Sequence, residues 1–309
     1  MDKPFILAAS MNPTLQKTLV FPGFFMDTVN RTSEYRLDTA GKGLNVCRVL
    51  TQLGKDCRLL TPLGGFFRPL FLELSRQDGI KVEWVESSSA IRFCYTLLDK
   101  KERSVTELVE DAETVGEGTE QRLLEAFSVL VRDCGTLIIS GTKAAGFSDG
   151  LVPEMVRQAR EAGARIILDL WGKDLLNSLP YKPDIIKPNL FEFLSTFAPE
   201  LISKNRIQGA EAEIKEKTEK IWAELYKKYQ CALVLTRGVN SVWCAEKGNF
   251  FEYTINAIEP LNTVGSGDAF TAGLASALED GSSLAEAVAE GSRCGALNAA
   301  LLKPGVIKL

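Results

Sequence analysis

Short apolar segments alternate with amphipathic segments along most of this sequence. Five apolar segments have the length of buried strands, at residues 5–10, 136–140, 165–169, 185–188 and 232–236. Hydrophobic residues at helical spacing mark residues 43–53, 119–132, 149–162, 211–229 and 283–301. Strands that are apolar on both faces are typical of parallel sheets covered by helices on each side. The alternation therefore predicts an α/β fold with a mostly parallel central sheet.

Two stretches depart from this alternation. Residues 15–37 and 91–108 alternate polar and apolar side chains, which is the pattern of exposed antiparallel strands. We interpret them as a small β-strand lid on the main domain, with a pair of ordinary surface hairpins as the alternative. No repeat, low-complexity tract or linker marks a second unit, so we expect one domain over residues 1–309.

Composition narrows the classes of function. The chain of 309 residues is 45% hydrophobic and 25% charged, with a net charge of −4, which is ordinary for a soluble globular protein. Its cations form no basic block, so a nucleic-acid partner is not expected. The first apolar stretch, residues 5–9, is too short for a membrane span or a signal peptide. Seven dispersed cysteines without a Cys-x-x-Cys pair indicate buried thiols and a cytoplasmic protein.

The segment Asn262-Thr263-Val264-Gly265-Ser266-Gly267-Asp268 joins a tight turn to a predicted helix. Glycine permits the turn, and the unpaired N–H groups of a helix N-terminus attract an anion such as a phosphate. Asp268 adds a carboxylate at the same point. A phosphate cradle at Gly265, Ser266 and Gly267 beside an aspartate base is the minimal equipment of a phosphotransferase. The alternative is an ordinary turn in which Asp268 only caps the helix.

The sequence contains no histidine. This absence excludes Ser-His-Asp and Cys-His triads, histidine metal sites and a histidine general base. Acid–base chemistry must therefore use carboxylate, lysine, tyrosine or cysteine side chains, which favours Asp268 as a base.

Polar residues and glycines also mark other ends of predicted elements. Gly41-Lys42-Gly43-Leu44-Asn45 opens the first predicted helix and could present N–H groups, an ammonium and an amide to a substrate. A glycine-rich helix start with a solvated lysine is the alternative. Thr236-Arg237-Gly238 and Ser140-Gly141-Thr142 follow predicted strands, at the edge where ligands of open α/β sheets bind.

Lys187-Pro188-Asn189-Leu190-Phe191-Glu192 ends another predicted strand. Asn189 and Glu192 have the spacing of a capping box, which explains both residues without a function. In the functional interpretation, Glu192 organises magnesium-bound water near a nucleotide. No Walker loop is present, and no G-x-G-x-x-G follows the first strand, so a P-loop NTPase and a nicotinamide dehydrogenase are not expected.

Together these motifs resemble the ribokinase-like (PfkB) carbohydrate kinases over essentially the whole chain, and most of all the 1-phosphofructokinase/tagatose-6-phosphate kinase branch. Residues 41–46, together with Arg48-Val49-Leu50 and Leu53-Gly54, match the first family motif. Residues 187–192 match K-P-N-x-x-E, and residues 263–268 match the second family motif. Residues 12–16 resemble the branch's N-P-A-x-D, but Gln16 stands where the branch has an aspartate that grips sugar hydroxyls. An amide lacks the charge-assisted bonds of a carboxylate, commonly worth ~1.5–3 kcal/mol.

The resemblance implies a three-layer α/β/α sandwich whose β lid often mediates dimerisation, and a transfer of phosphate that requires ATP and Mg²⁺. It implies Asp268 as the base and the amides of residues 265–268 as the anion hole. For the sugar phosphate it implies Asn12, Gln16, Arg31, Gly41, Lys42, Asn45, Arg92 and Arg103. For ATP it implies Lys187, Asn189, Thr236, Gly238 and Asn298, and for Mg²⁺ it implies Asn189 and Glu192.

The leading hypothesis is a kinase that converts a ketohexose phosphate, such as fructose 1-phosphate or tagatose 6-phosphate, to a bisphosphate. Its motive is the paired motifs and a cationic set that suits a dianionic acceptor, namely Lys42, Arg31, Arg92 and Arg103. A kinase for an unphosphorylated sugar or a nucleoside is the second hypothesis. The third is a non-catalytic sugar-phosphate sensor, motivated by Gln16 alone.

Overall fold

The computed structural model describes residues 4–204, 206–256 and 258–308. Within them the main sheet has the spatial order β15 (Asn249–Tyr253), β14 (Asn240–Glu246), β13 (Ala232–Arg237), β10 (Ile185–Ile186), β9 (Arg165–Asp169), β8 (Cys134–Ser140), β1 (Phe5–Ala9), β4 (Cys57–Leu63) and β5 (Lys81–Glu86). The strands from β13 to β5 pair in parallel, and β14 and β15 extend the sheet by antiparallel pairing. The predicted mostly parallel sheet is confirmed.

Helices cover both faces of this sheet. In chain order they are α1 (Lys42–Gln52), α2 (Arg68–Gln77), α3 (Thr119–Leu130), α4 (Leu151–Glu161), α5 (Gly172–Ser178), α6 (Leu190–Phe197), α7 (Glu211–Tyr229), α8 (Ser266–Glu279) and α9 (Leu284–Ala299). Side chains from α1, α2, α8 and α9 pack in one core, and those from α3 to α7 pack in the other. Successive residues of β1 point to opposite faces, so Ile6 joins the first core and Leu7 the second. The three-layer α/β/α sandwich is therefore confirmed.

Four more strands form a separate sheet in the order β3 (Glu34–Ala40), β2 (Thr14–Phe21), β6 (Arg92–Asp99) and β7 (Ser104–Val109). This sheet is the lid predicted from residues 15–37 and 91–108. The pairs β2–β3 and β6–β7 are antiparallel hairpins, but β2 and β6 pair in parallel, with Gln16 opposite Cys94. The expectation of antiparallel strands is wrong for this central pair, because each hairpin contributes its first strand to the middle of the sheet.

The remaining features agree with the composition. All seven cysteines are buried free thiols, as their dispersed positions predicted. The short strands β11 (Ile202–Ser203) and β12 (Arg206–Ile207) pair with each other outside both larger sheets. In the part of the chain that the structure describes, no helix is both long and apolar enough to cross a membrane.

Candidate active site

The turn before α8 is held in a shape that only glycine adopts readily. Gly265 has a φ of 81°, in the left-handed region, and a Cβ there would lie 3.0 Å from the Cβ of Pro304. At Gly267 a Cβ would meet no atom within 4 Å, so this backbone faces open space. Among the described residues, the N–H groups of Gly267 and Asp268 have no hydrogen-bond acceptor. The turn therefore presents two free donors at a helix N-terminus, where an anion is favoured.

The Asp268 carboxyl group is nearly buried, with 6% of the residue exposed. Its Oδ2 accepts a hydrogen bond of 2.8 Å from Nδ2 of Asn45, which lies in the first turn of α1. Burial raises the pKa of Asp268 to about 7, opposed by the nearby charge of Lys42 and reinforced by that of Asp169. A carboxylate with a pKa near neutrality is suited to take up a proton during a reaction.

Two lysines and two carboxylates form an ion-pair cluster beside Asp268. The Nζ of Lys42 lies 3.2 Å from Oε1 of Glu192 and 3.7 Å from Oδ1 of Asp169. The Nζ of Lys187 lies 3.2 Å from Oδ2 of Asp169, and both of these side chains are buried. The charge of Asp169, followed by that of Glu192, raises the pKa of Lys42 although burial opposes it. Lys42 is therefore an ammonium group shared by two carboxylates.

Asp169 was not among the residues singled out in the sequence. It ends β9, and its Oδ2 also accepts hydrogen bonds from the hydroxyls of Ser140 (3.2 Å) and Thr271 (3.1 Å). Burial acts to raise the pKa of Asp169, but the charges of Lys187 and Lys42 and the hydrogen bonds from Lys187 and Thr271 lower it. Asp169 is therefore a stable buried anion. The signal that could have found it is a carboxylate at the carboxyl end of a buried parallel strand.

Asn189 and Glu192 begin α6 with the predicted capping box. The side chain of Asn189 accepts from the N–H of Glu192 at 2.8 Å, and Oε2 of Glu192 accepts from the N–H of Asn189 at 2.9 Å. The capping interpretation is confirmed. The second oxygen of Glu192 still reaches Lys42, so capping does not remove this carboxylate from the ion-pair cluster.

A cavity of about 570 Å³ lies against the turn before α8. Its walls include Thr236 and Gly238 at the end of β13, Ser266 and Gly267 of the turn, and Phe270. Apolar side chains complete it, among them Val242, Tyr253, Ile255 and Leu297. A mostly apolar cleft with a few polar groups at one end is typical of a small-molecule site.

Three of the predicted nucleotide residues do not line this cavity. Lys187 is 2% exposed and lies in the ion pair with Asp169. Asn189 is exposed at the start of α6, next to Thr236 through an isolated parallel bridge. The buried side chain of Asn298 donates to the carbonyl of Val264 at 2.9 Å, and its Oδ1 accepts from the N–H of Gly305 at 2.6 Å. Asn298 therefore connects the turn before α8 to the C-terminal segment by hydrogen bonds.

The predicted acceptor residues fall into two groups. Near the ion-pair cluster, Gly41 precedes Lys42 with a φ of 115°, and the stem of Lys42 packs over Gly141. Further along the same edge, Nδ2 of Asn12 donates to Thr142 at 3.2 Å. At the base of the lid, Nε of Arg92 donates to Thr14 at 3.1 Å.

The other lid residues of the predicted set lie farther from Asp268 in the hydrogen-bond network. Gln16 is buried in β2, and its amide donates to the hydroxyl of Thr96. Arg103, in the loop between β6 and β7, is 81% exposed and pairs with Glu259 at 2.8 Å. Arg31 is exposed in the loop between β2 and β3. Neither arginine contacts another predicted site residue by an ion pair among the described residues.

Comparison with known proteins assigns this arrangement to a family. A model of the pfkB family carbohydrate kinases matches residues 12–307. The chain belongs to this family. It is therefore a sugar kinase, a phosphotransferase, and the resemblance seen in its motifs is confirmed.

Solved structures of the family share its fold. Phosphofructokinase-2 from Escherichia coli in complex with fructose-6-phosphate is 20% identical, with a TM-score of 0.80 over 96% of this chain and 93% of that one. A possible 1-phosphofructokinase from Thermotoga maritima is 20% identical, with a TM-score of 0.84 over 97% and 93%. Ribokinase from Thermotoga maritima is 17% identical, with a TM-score of 0.73 over 98% and 95%.

Proposed function

We propose that this carbohydrate kinase transfers the terminal phosphate of ATP to an alcohol group of a phosphorylated ketohexose, giving a bisphosphate. The observation that carries the proposal is the position of Asp268, a nearly buried carboxyl group with a pKa of about 7 beside the free N–H groups of Gly267 and Asp268. A proton acceptor and an anion site meet there at one helix N-terminus. Phosphoryl transfer to an alcohol needs both.

In this proposal Asp268 takes up the proton of the acceptor hydroxyl as the hydroxyl oxygen attacks the terminal phosphorus of ATP. The bond from that phosphorus to the bridging oxygen of the β-phosphate breaks, and ADP leaves. The free N–H groups of Gly267 and Asp268 stabilise the negative charge on the transferred group, since these donors are already oriented and need no rearrangement. The N–H of Ser266, which belongs to the predicted anion hole of residues 265–268, instead donates to the carbonyl of Thr263 at 3.2 Å. The ammonium of Lys42 lies close enough to Asp268 for its charge to oppose the rise in the pKa of that carboxyl, and it adds positive charge near the path of transfer. Each of these groups acts on charge that is present during transfer.

The cavity beside the turn is the proposed site of the nucleotide. Thr236 and Gly238 line it directly, and its apolar walls suit a purine base. We assign Lys187 and Asn298 a positioning role, because the first holds Asp169 and the second holds the turn before α8. Asn189 lies at the edge next to Thr236, where it is exposed to a phosphate chain.

The chain also offers ligands of the type that Mg²⁺ prefers. Asp169 and Glu192 supply carboxylate oxygens around Lys42, and Asn189 lies three residues before Glu192 at the start of α6. The described residues contain no group of three acidic, histidine or cysteine side chains that could hold a metal alone. This fits Mg²⁺, which binds through one or two carboxylates together with substrate phosphates and water. When bound, the ion would neutralise phosphate charge, while the two carboxylates fix its position and Lys42 limits their net charge.

For the acceptor we propose the edge between the lid and α1. Asn12, Gly41, Lys42 and Asn45 lie on the domain side, and Gln16 and Arg92 lie on the lid side. The complex of the E. coli relative with fructose-6-phosphate supports a phosphorylated sugar as the acceptor class. Arg31 and Arg103 stay in the proposed set only if the lid loops move toward the site, because both are exposed in this structure.

One observation favours the second candidate, an unphosphorylated acceptor. Lys42 is already shared by Asp169 and Glu192, which leaves Arg92 as the lid cation nearest to the acceptor edge. Arg92→Ala separates the candidates. A rise in the KM for the sugar phosphate supports a bound phosphate, whereas an unchanged KM favours a free sugar or nucleoside. Lys17→Ala on the neighbouring strand is the matched control, since Lys17 lies over Tyr35 instead.

The proposed base is tested by Asp268→Asn. This change keeps the shape of the side chain and should lower turnover by ~10²–10⁴, the usual contribution of a general base. ATP binding, measured by calorimetry, should persist. Asp280→Asn at the other end of α8 is the control, because Asp280 is exposed and, within residues 4–204, 206–256 and 258–308, forms an ion pair with Lys55 alone. Near-normal turnover of Asp268→Asn would rule out its assignment as the base. ATP turnover by the native protein that a sugar phosphate stimulates would exclude the hypothesis of a non-catalytic sensor.

We also infer that the whole chain acts as one kinase domain and that a second copy binds through the lid. The family match over residues 12–307 supports the first inference. The second is supported by the exposed apolar side chains on the lid, which are Phe25, Met26, Val29, Tyr35, Val105, Leu108 and Val109. The inhibited form of the E. coli relative is a tetramer, so assembly occurs in this fold.

A further inference from the structure

Arg48 is a buried arginine whose five N–H donors all have acceptors. It lies in the middle of α1 with 2% of the residue exposed. Its Nε donates to Asp78 at 2.8 Å, and Nη2 donates to the carbonyl and hydroxyl of Thr39 at 2.7 and 3.0 Å. Its Nη1 donates to the carbonyl of Pro304 and to Oδ1 of Asn45, each at 2.9 Å. Its guanidinium therefore has a single position.

This contact determines which way the amide of Asn45 points. A guanidinium has donors only, so the atom that faces Arg48 must be the carbonyl oxygen of Asn45. The NH₂ group then points the other way, where it donates to Oδ2 of Asp268 at 2.8 Å. Without Arg48 the amide could rotate by half a turn and place its oxygen against the carboxylate, a repulsive contact.

We propose that Arg48 is a positioning residue that acts on Asp268 through the amide of Asn45. The inference rests on the proposed function, because it assigns Asp268 to the reaction. Arg48 is buried and its donors are engaged within the protein, so it acts through Asn45 and not on the substrate directly. It fixes a donor that holds one carboxylate oxygen, so that the other oxygen is directed to the acceptor hydroxyl.

The surroundings of Arg48 explain why an arginine stands there. Asp78 balances its charge, and Lys303 lies 3.2 Å from Asp38 and also contacts Asp78. Removing the guanidinium would leave the carbonyls of Thr39 and Pro304 without these donors. A lysine would keep the charge but could not donate in three directions from one rigid plane. The orientation of the Asn45 amide thus depends on the planar guanidinium group of Arg48 and not only on its charge.

A double-mutant cycle tests this proposal. We expect Arg48→Lys to lower kcat about tenfold, the size of one well-placed hydrogen bond to a charged group. The KM for ATP should stay unchanged, since neither Arg48 nor Asn45 lines the proposed nucleotide cavity. If Arg48 acts through Asn45, then the double variant with Asn45→Ala should be no slower than Asn45→Ala alone. Independent effects that multiply in the double variant would overturn the proposal.

A control and a substitute variant keep the outcome interpretable. Gln52→Ala removes contacts of α1 with the same C-terminal segment, at Gly305 and Ile307, without touching Asn45, and should leave kcat unchanged. If Arg48→Lys does not fold, Thr39→Val replaces it in the cycle, because it removes one acceptor and leaves the charge in place.

Asp268→Asn, measured in parallel, separates the two levels of inference. Normal turnover in that variant would refute the proposed function. An inactive Asp268→Asn together with multiplying effects at Arg48 and Asn45 would refute only the positioning role.

Discussion

At the scale of single residues, Asp268 combines burial with the need to carry a charge. Its carboxyl group accepts one hydrogen bond from Asn45 and lies near Lys42, but these contacts do not offset the loss of water. The pKa of about 7 is the result. A group of this kind is protonated in part of the physiological range, so both activity and stability should respond to pH.

The first prediction concerns the pH dependence of the reaction. Because the carboxylate is the active form, kcat/KM should fall about tenfold per pH unit below pH 7 and level off above it. A sugar phosphate titrates near pH 6 as well. Asn45→Ala distinguishes the Asp268 carboxyl from the substrate phosphate. Loss of the hydrogen bond from Asn45 raises the pKa of Asp268, so the acidic fall in kcat/KM moves to higher pH. A limb that stays in place in Asn45→Ala would assign the titration to the substrate.

The second prediction concerns stability. A carboxyl pKa that is higher in the folded state means that folding disfavours ionisation, so the native protein loses stability as pH rises from about 4 to about 7. Asp268→Asn removes this loss and keeps an acceptor for Asn45. At about 1.4 kcal/mol per pKa unit we expect a gain of ~1–3 kcal/mol at pH 8 and much less at pH 5. Urea unfolding at both pH values is the measurement, and an equal gain at both would contradict the assignment.

The sequence predicts individual residues best where a motif fixes the backbone around them. Asp268 could be chosen because Gly265 and Gly267 mark the helix start, and Glu192 because it has capping spacing. Asp169 belongs to no motif, since it ends an apolar strand. Arg48 continues the first family motif along α1, but the motif gives no indication of its partners. Asp169 depends on the distant Lys187, and Arg48 depends on Pro304 as well as on the neighbouring Asn45. Long-range pairing of this kind is set by topology.

At the scale of elements, helices were predicted more closely than strands. The segment 211–229 coincides with α7, because its apolar residues recur at helical spacing and its charged residues occupy the opposite face. The strand β4 was not predicted, since arginine, threonine and proline interrupt its apolar run. Pro62 is tolerated because β4 pairs with β1 only as far as Leu60, and beyond it pairs with β5 alone. The predicted strand 185–188 is shorter because Pro188 has no N–H to donate.

The third prediction concerns the contact between α8 and α9. A Cβ at Gly273 would lie 2.8 Å from the carbonyl oxygen of Glu290 and 2.9 Å from Sγ of Cys294. Helix propensity alone predicts that Gly273→Ala stabilises the protein by ~1 kcal/mol. We expect the opposite sign, a net loss of ~1–2 kcal/mol, because overpacking a buried contact outweighs propensity. A urea midpoint above that of the native protein would show that the helices separate easily.

At the scale of the whole molecule, both cores and the site follow from one arrangement. The carboxyl ends of β8, β9, β10 and β13 bring Ser140, Asp169, Lys187 and Thr236 to the same edge of the sheet. The alternation of strands and helices was sufficient to predict that edge. The pairing within the lid was not predictable, because alternating polar and apolar residues look the same in parallel and antiparallel exposed strands.

The fourth prediction concerns assembly through the lid. The double variant Leu108→Glu with Val109→Glu places two negative charges on the exposed strand β7 and should convert the proposed homodimer to a monomer. Analytical ultracentrifugation measures the change. Val129→Glu on α3, another exposed apolar position outside the lid, is the control and should leave the assembly unaffected. A native protein that sediments as a monomer would refute the dimer.

The parallel pairing of β2 with β6 has a consequence for biosynthesis. Hydrogen bonds between these strands join residues 14–21 to residues 92–99, with β3, α1, β4, α2 and β5 between them. The hairpin of β2 and β3 therefore leaves the ribosome long before β6 has been synthesised. Until then, the backbone N–H and C=O groups on the edge of β2 that later pairs with β6 have no partner strand. Pulse-labelling hydrogen exchange during refolding should accordingly find the amides of β2 that face β6 protected later than those that face β3, its partner in the hairpin.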